Sequence, residues 1–264
     1  MMKSLHIAAT GMGTQQRSVA VITNNLANVN TTAFKTQHAL FADLMYQNYR
    51  VVGQPTSDSG TIRPTGLQIG LGSQVNGSYR IFTSGALQQT DNSFDVAING
   101  RGFFEVEMPD GSLAYTRAGT FAVNSEGEIV TTEGYRLSGI SGTISPNALS
   151  VTISETGEVW QELAGQEDLD QVGEINLSLF QNENGLEALG RNYFRQTSAS
   201  GEAQGDVAGT EGRGVILQGY LERSNVDTVA EITNLIEAQR AYELNSKALT
   251  RSDEMLRTAV NILN

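Results

Sequence analysis

The chain contains no cysteine, which excludes disulfides and any thiolate metal site. It has two histidines, His6 and His38, and neither stands beside a spaced carboxylate pattern, so no metal-ligating set is expected. Proline is scarce: Pro55, Pro64, Pro109 and Pro146 all lie in the middle of the chain. The last 45 residues, Tyr220 to Asn264, carry neither proline nor glycine, although the chain has 28 glycines. Of these, 26 fall between Gly53 and Gly219, and the first 52 residues hold only Gly11 and Gly13. Helix breakers are thus confined to the middle, which predicts ends that do one job and a middle that does another. No apolar run approaches the roughly 18 residues of a membrane span. The early run Ile7–Ala9 is too short for the apolar core of a secretory signal. Neither a transmembrane segment nor that secretion route is expected.

Charge is uneven. Residues 1–50 are net +3, residues 51–219 net −13 and residues 220–264 net −2. The middle has eight Arg, no Lys and 21 acids, so phosphate-rich nucleic acid is excluded as a partner by repulsion. Its Arg bias fits bidentate pairing with carboxylates of neighbouring subunits.

The C-terminal end is patterned as a helix. Leu235, Tyr242, Leu249, Leu256 and Leu263 recur every seven residues, with Ile232, Gln239, Ser246, Asp253 and Val260 on a companion track whose middle is polar. Thr228 with Glu231 has the form of a capping box, and Asp227 places a negative charge at the positive end of the helix dipole. A helix over Thr228–Leu263 would be about 54 Å long. Few domains of this size bury one face of such a rod within themselves. The N-terminal end repeats the motif, with Leu5, Met12, Val19 and Leu26 seven apart and Ala8, Gln15 and Ile22 beside them. That helix is expected to stop in the run Asn24, Asn25, Asn28, Asn30, because Asn tolerates the left-handed conformation that ends helices. Two such stripes at opposite termini predict a coiled coil of the two ends, extended by copies of the chain.

The middle reads as short strands and tight turns. Asn76-Gly77, Asn99-Gly100, Asp110-Gly111, Glu126-Gly127, Glu133-Gly134 and Asn184-Gly185 mark turns. Strands are expected over Phe94–Ile98, Gly102–Met108, Ser112–Arg117 and Gly119–Val123, and around Leu149–Ser154 and Glu174–Phe180. Residues 46–66 are polar and turn-rich and read as a connector. The fold class is therefore α+β: long terminal helices flanking an irregular antiparallel β-domain.

No catalytic constellation stands out. Gly70-Leu-Gly72 lacks the third glycine of a dinucleotide loop, and there is no nucleophile elbow and no P-loop. A pair of carboxylates can always be chosen among so many, so such a pair carries no signal. No enzymatic activity and no cofactor are expected.

Longer motifs carry a resemblance. Ile22-Thr-Asn-Asn-Leu-Ala-Asn28 followed by Thr31-Thr-Ala-Phe-Lys35 resembles the N-terminal signature of the rod and hook proteins of the bacterial flagellum. Ser224-Asn-Val-Asp227, Leu235-Ile-Glu-Ala-Gln-Arg-Ala-Tyr-Glu-Leu-Asn-Ser-Lys247 and Asp253-Glu-Met-Leu256 resemble the C-terminal signature. Ile7–Met12, Gly60-Thr-Ile-Arg-Pro-Thr-Gly66, Ile81–Thr90, Ala97–Phe104, Ala114–Arg117 and Leu217–Leu221 resemble rod members more than hook members, leaving a sister rod or hook subunit as the alternative. Ala33 departs from the pattern, which usually has Gly before the Phe-Lys pair.

The resemblance implies a structural subunit, exported through the flagellar type III apparatus without a cleaved signal. Such subunits polymerise as a helical tube that crosses the periplasm as a drive shaft and carries export. Its partners would be further copies, neighbouring rod and hook subunits, and the peptidoglycan-ring and outer-membrane-ring proteins. The implied layout is an inner-domain helix and Asn-rich turn at 1–45, a connector between layers at 46–66, an outer β-domain at 67–222 and an inner-domain helix at 223–264. Inner packing would fall to Leu5, Met12, Val19, Ile22, Leu26 and Phe34, and to Ile232, Leu235, Tyr242, Leu249, Leu256 and Leu263. The motif positions proper are Asn24, Asn25, Asn28, Thr31, Thr32 and Lys35, with Gln239, Arg240, Asn245 and Lys247 at the other end.

Overall fold

A computed structural model describes residues 2–53, 65–164 and 169–263. Part of the expected connector, including the motif that begins at Gly60, therefore lies outside the described residues. The chain has two long helices, α1 (Met2–Ala27) and α2 (Thr228–Leu263), separated by strands paired mostly antiparallel. It divides into two units. Residues 1–27, 37–79 and 227–264 form the first, and residues 28–36 and 80–226 the second.

In the first unit, α1 and α2 lie side by side. A Cβ on Gly11 would stand 3.0 Å from Asn245, and Asn25 donates to Glu231 at 3.3 Å, so the helices run antiparallel and close together. Glycine at position 11 is what permits that approach. The inward face of α2 is Glu231, Ala238, Asn245, Ser252 and Ala259, spaced by seven and dominated by small side chains. Leu235, Leu249 and Leu256 flank it half-buried. The expected companion track does not take this place: Ile232 and Val260 are exposed, as is Tyr242 on the leading track. The seam lies one position earlier, because a close helix pair selects small residues at contact and pushes bulky ones outward. Helix α2 is capped by Asp227, whose Oδ1 accepts from the backbone N–H groups of Val229 and Ala230 at 2.9 and 3.3 Å. The expected Thr228–Glu231 box does not form, since Glu231 turns inward and is 4 % exposed.

A β-ribbon completes this unit. Strand β1 (Gln37–Asp43) bonds to β4 (Ser73–Arg80), and β2 (Tyr46–Arg50) pairs antiparallel with β3 (Leu67–Gly70) in the register Tyr46↔Gly70 and Gln47↔Ile69. The start of the expected connector is thus a strand, held by its pairing with β3 and favoured by the β-propensity of Tyr46 and Tyr49. All five residues of β2 are exposed, so no apolar face announced it. Asn76-Gly77 lies inside β4 and makes no turn, because pairing with β1 overrides the local preference.

The second unit holds the β-core. Strand Phe103–Glu107 pairs with Leu113–Thr116, Arg136–Leu137 and Asn176–Leu179, at the centre of a nine-stranded sheet. Consecutive side chains point to opposite faces. Phe104 accordingly packs edge-on against Phe121 at 5.3 Å in one cluster, and Phe103 against Phe180 at 5.8 Å in another. Turns at Asp110-Gly111, Glu126-Gly127 and Glu133-Gly134 place glycine at φ of 79°, 82° and 88°, as the sequence leads one to expect. Asn184-Gly185 instead ends a short 3-10 turn, Glu183–Gly185.

Helix α1 stops at Ala27, but the left-handed residue beyond it is Ala33 (φ 57°), not an Asn of the 24–30 run. An L-residue there costs roughly 1–2 kcal/mol, against about 0.8 kcal/mol for the buried methyl it contributes. Ala33→Gly is therefore expected to stabilise the second unit by about 0.5–1 kcal/mol, read as a higher urea midpoint by Trp160 fluorescence. A lower midpoint would contradict the strain.

Candidate functional site

Two features gather the residues singled out by sequence. The first is a buried charge cluster in the second unit. Lys35 Nζ lies 2.5 Å from Glu222 Oε1, and Arg117 Nε lies 2.9 Å from Glu222 Oε2, with all three side chains at most 2 % exposed. The remaining donors are met by backbone oxygens: Lys35 donates to Thr83, and Arg117 to Gly100 and Gly102, at 2.8, 2.8 and 3.0 Å. The backbone N–H of Gly85 donates to Glu222 Oε1 at 2.8 Å, and that of Ala33 donates to the Glu222 carbonyl at 2.8 Å. Beside it, Asn225 Oδ1 accepts from Thr36 N and Oγ1 at 2.7 and 2.8 Å, while its Nδ2 donates to the Ile81 carbonyl at 2.8 Å. Residues 28–36 are thereby fixed to segments far away in sequence. Lys35, Arg117 and Asn225 stood in the quoted motifs, but neither Arg117 nor Glu222 was singled out for any pairing. A charged residue ending a strand looks solvent-exposed until its partners are placed.

Two cations share one carboxylate here. Burial, and then the Arg117 charge, push the Lys35 ammonium down to about 8 from 10.5, with Glu222 opposing. Below pH 8 the lysine is charged in both states and folding bears the cost. Between about 8 and 10.5 the unfolded chain binds the proton more tightly, so stability rises with pH. The expected gain from pH 8 to 9.5 is about 1–2 kcal/mol, absent in Lys35→Met. Above pH 10 the buried Tyr193, its hydroxyl pushed up by burial and by donation to Glu133, reverses the trend. Urea unfolding across this range tests the sign; a stability that falls between pH 8 and 9.5 would contradict it.

The second feature is the surface of the first unit. Among described residues, 17 of the 21 exposed large hydrophobic side chains lie in this unit and four in the second. They include Leu40, Phe41, Met45 and Tyr46 of the ribbon, and Val229, Ile236, Leu244 and Met255 of α2. Of the expected packing residues, Ile22 is buried, and Leu5, Met12, Val19, Leu26, Leu235, Leu249 and Leu256 are half-buried. Phe34 is half-buried in the second unit. Of the motif residues, Asn25 is buried and bonds Gln37 in both directions, at 2.8 and 3.0 Å. Asn28 and Thr31 join at 3.1 Å, and Asn192 donates to the Thr32 carbonyl at 2.7 Å. Asn24, Gln239, Arg240 and Lys247 are exposed, and Asn245 faces Gly11. The middle's Arg residues work within the chain as well: Arg101, Arg136 and Arg195 pair with Glu183, Glu128 and Glu187 at 2.7–2.9 Å. No described group of His, Asp and Glu could hold a metal, and no described helix is long and apolar enough to cross a membrane.

Three family models match the chain. They are the flagella basal body rod protein over 5–35, the flagellar hook protein FlgE/F/G D1 domain over 97–161, and the flagellar basal body rod FlgEFG protein C-terminal region over 217–262. The chain is 49 % identical to the flagellar basal-body rod protein FlgG of Caulobacter vibrioides, covering 97 % of each. It is 43 % identical to FlgG of Borreliella burgdorferi and 36 % to FlgG of Bacillus subtilis, covering 99 % of each chain in both cases. The chain belongs to the flagellar basal-body rod protein family. The family's N-terminal match ends at Lys35 and its C-terminal match begins at Leu217, so the Lys35–Glu222 pair and Asn225 join the two matched ends. Arg117 comes from the D1 match between them.

Proposed function

We propose that the chain is a structural subunit of the distal flagellar rod, polymerising into a helical tube that serves as a rigid drive shaft and export channel. The observation that carries this reading is the concentration of exposed apolar side chains on the first unit. A monomer rarely leaves so much apolar surface in water, and a heterologous, non-closing contact between copies buries it while generating a filament. The antiparallel pair α1–α2 would be the coiled-coil-like inner layer, extended by neighbouring copies, and residues 46–66 would pack between layers. The family is structural rather than enzymatic, and the second unit offers the tube an outer β-domain. Neighbouring rod and hook subunits, the peptidoglycan and outer-membrane rings and the type III export apparatus are the partners this role entails. The location it entails is the basal body, with the rod crossing the periplasm.

The test is electron microscopy of basal bodies from cells whose only copy carries an epitope in the exposed turn at Asp110–Gly111. Label along the rod supports the reading. Label on the hook alone would make the chain a sister subunit, and basal bodies without label would overturn the proposal.

A further inference from the structure

One buried carboxylate oxygen of the first unit, Glu231 Oε2, has no hydrogen-bond partner among the described residues. Glu231 is 4 % exposed, and its Oε2 meets no hydrogen-bond donor, while Oε1 has only Asn25 at 3.3 Å. It lines a groove of about 520 Å³ walled by α1, α2 and β1, with Ile22, Ala39, Phe41 and Ala238 as apolar lining and Glu237 as a second carboxylate. Polar side chains, Gln15, Gln37, His38 and Asn234 among them, share the lining with these apolar groups, and a buried carboxylate oxygen left without a donor in such a mixed cleft calls for a cationic donor flanked by apolar groups. The same chain carries that arrangement on another face of α2. Ile236, Arg240 and Leu244 are exposed at i, i+4 and i+8, an apolar–cation–apolar ridge, and Arg240 has no ion pair among the described residues. Arg240 lies nine residues, two and a half helical turns, from Glu231, so it projects from the opposite side of α2 and cannot reach Glu231 of its own chain.

We propose that the groove receives the Ile236–Arg240–Leu244 ridge of a second copy, with the Arg240 guanidinium bonded to Glu231. Ridge and groove sit on different faces of one subunit, so each copy offers one and fills another, and the contact propagates without closing. The planar guanidinium supplies two parallel donors to a carboxylate, which a lysine cannot reproduce. The inference rests on the rod-subunit reading and specifies one contact of that polymer.

Because the chain lacks cysteine, two single-cysteine versions can be expressed together in cells deleted for the native gene: Ala39→Cys in the groove and Leu244→Cys on the ridge. Oxidised basal bodies are run on a non-reducing gel. The expected product is the mixed pair, several-fold above either like pair. It is lost when the Leu244→Cys chain also carries Arg240→Glu, an exposed change that spares the fold, and is reduced when that chain carries Arg240→Lys. Rods containing both versions but no mixed pair would overturn this contact and leave the rod reading intact. Basal bodies containing neither version would overturn both.

Discussion

Glu222→Ala is expected to destabilise the second unit by about 3–5 kcal/mol, the largest effect of any single substitution in this chain. Among the described residues this carboxylate is the one ion-paired with both cations, and all three side chains are essentially without solvent. Its removal leaves Lys35 and Arg117 side by side in a low-dielectric site, with the Gly85 N–H unpaired as well. Domains of this size have roughly 5–15 kcal/mol in total, so the variant should unfold at a far lower urea concentration. Trp160, in the strand Glu158–Leu163, reports the transition. Lys35→Met in the same background should recover part of the loss, because one uncompensated charge is then left instead of two. Glu222→Gln should fall between, keeping its hydrogen-bond acceptor without the charge. An alanine variant within about 1 kcal/mol of the parent would show that the cluster is hydrated and that the burial argument fails.

Leu249→Asp is expected to abolish swimming while leaving the Trp160 transition unchanged. Leu249 is half-buried beside the α1–α2 seam, between the small contacts Asn245 and Ser252. The change removes about 2 kcal/mol of apolar burial and sets a charge at a half-buried position, at a cost of a few kcal/mol more. A helix pair covered only by a ribbon has little reserve against that, so the far-ultraviolet helix signal should fall. Leu256→Asp should act alike. Tyr242→Ser, at a position 43 % exposed, separates two roles: it should leave the isolated chain folded and still weaken assembly. Cells that carry Leu249→Asp and nonetheless build full rods and swim would refute the view that the seam is required.

Sequence alone determined the division of labour. Helices without glycine or proline must be continuous, and seven-residue stripes must lie along one side of them, whatever the rest of the chain does. It also located α2 from Thr228 to Leu263 and most strands near the turn dipeptides, since those signals are local. Only the tertiary structure decided which track of α2 forms the seam. Periodicity finds a stripe, but distance between helices selects small residues within it, and that distance depends on Gly11 in a segment more than two hundred residues away. It likewise decided that Asp227 caps α2, because Glu231 is drawn inward to Asn25. The strand at Tyr46–Arg50 was hidden for the opposite reason: exposed on both faces, it has no buried side to leave a pattern. The Lys35–Glu222–Arg117 cluster joins three segments whose charges are unremarkable one at a time, and a pairing between distant residues leaves no periodic trace for the sequence to show.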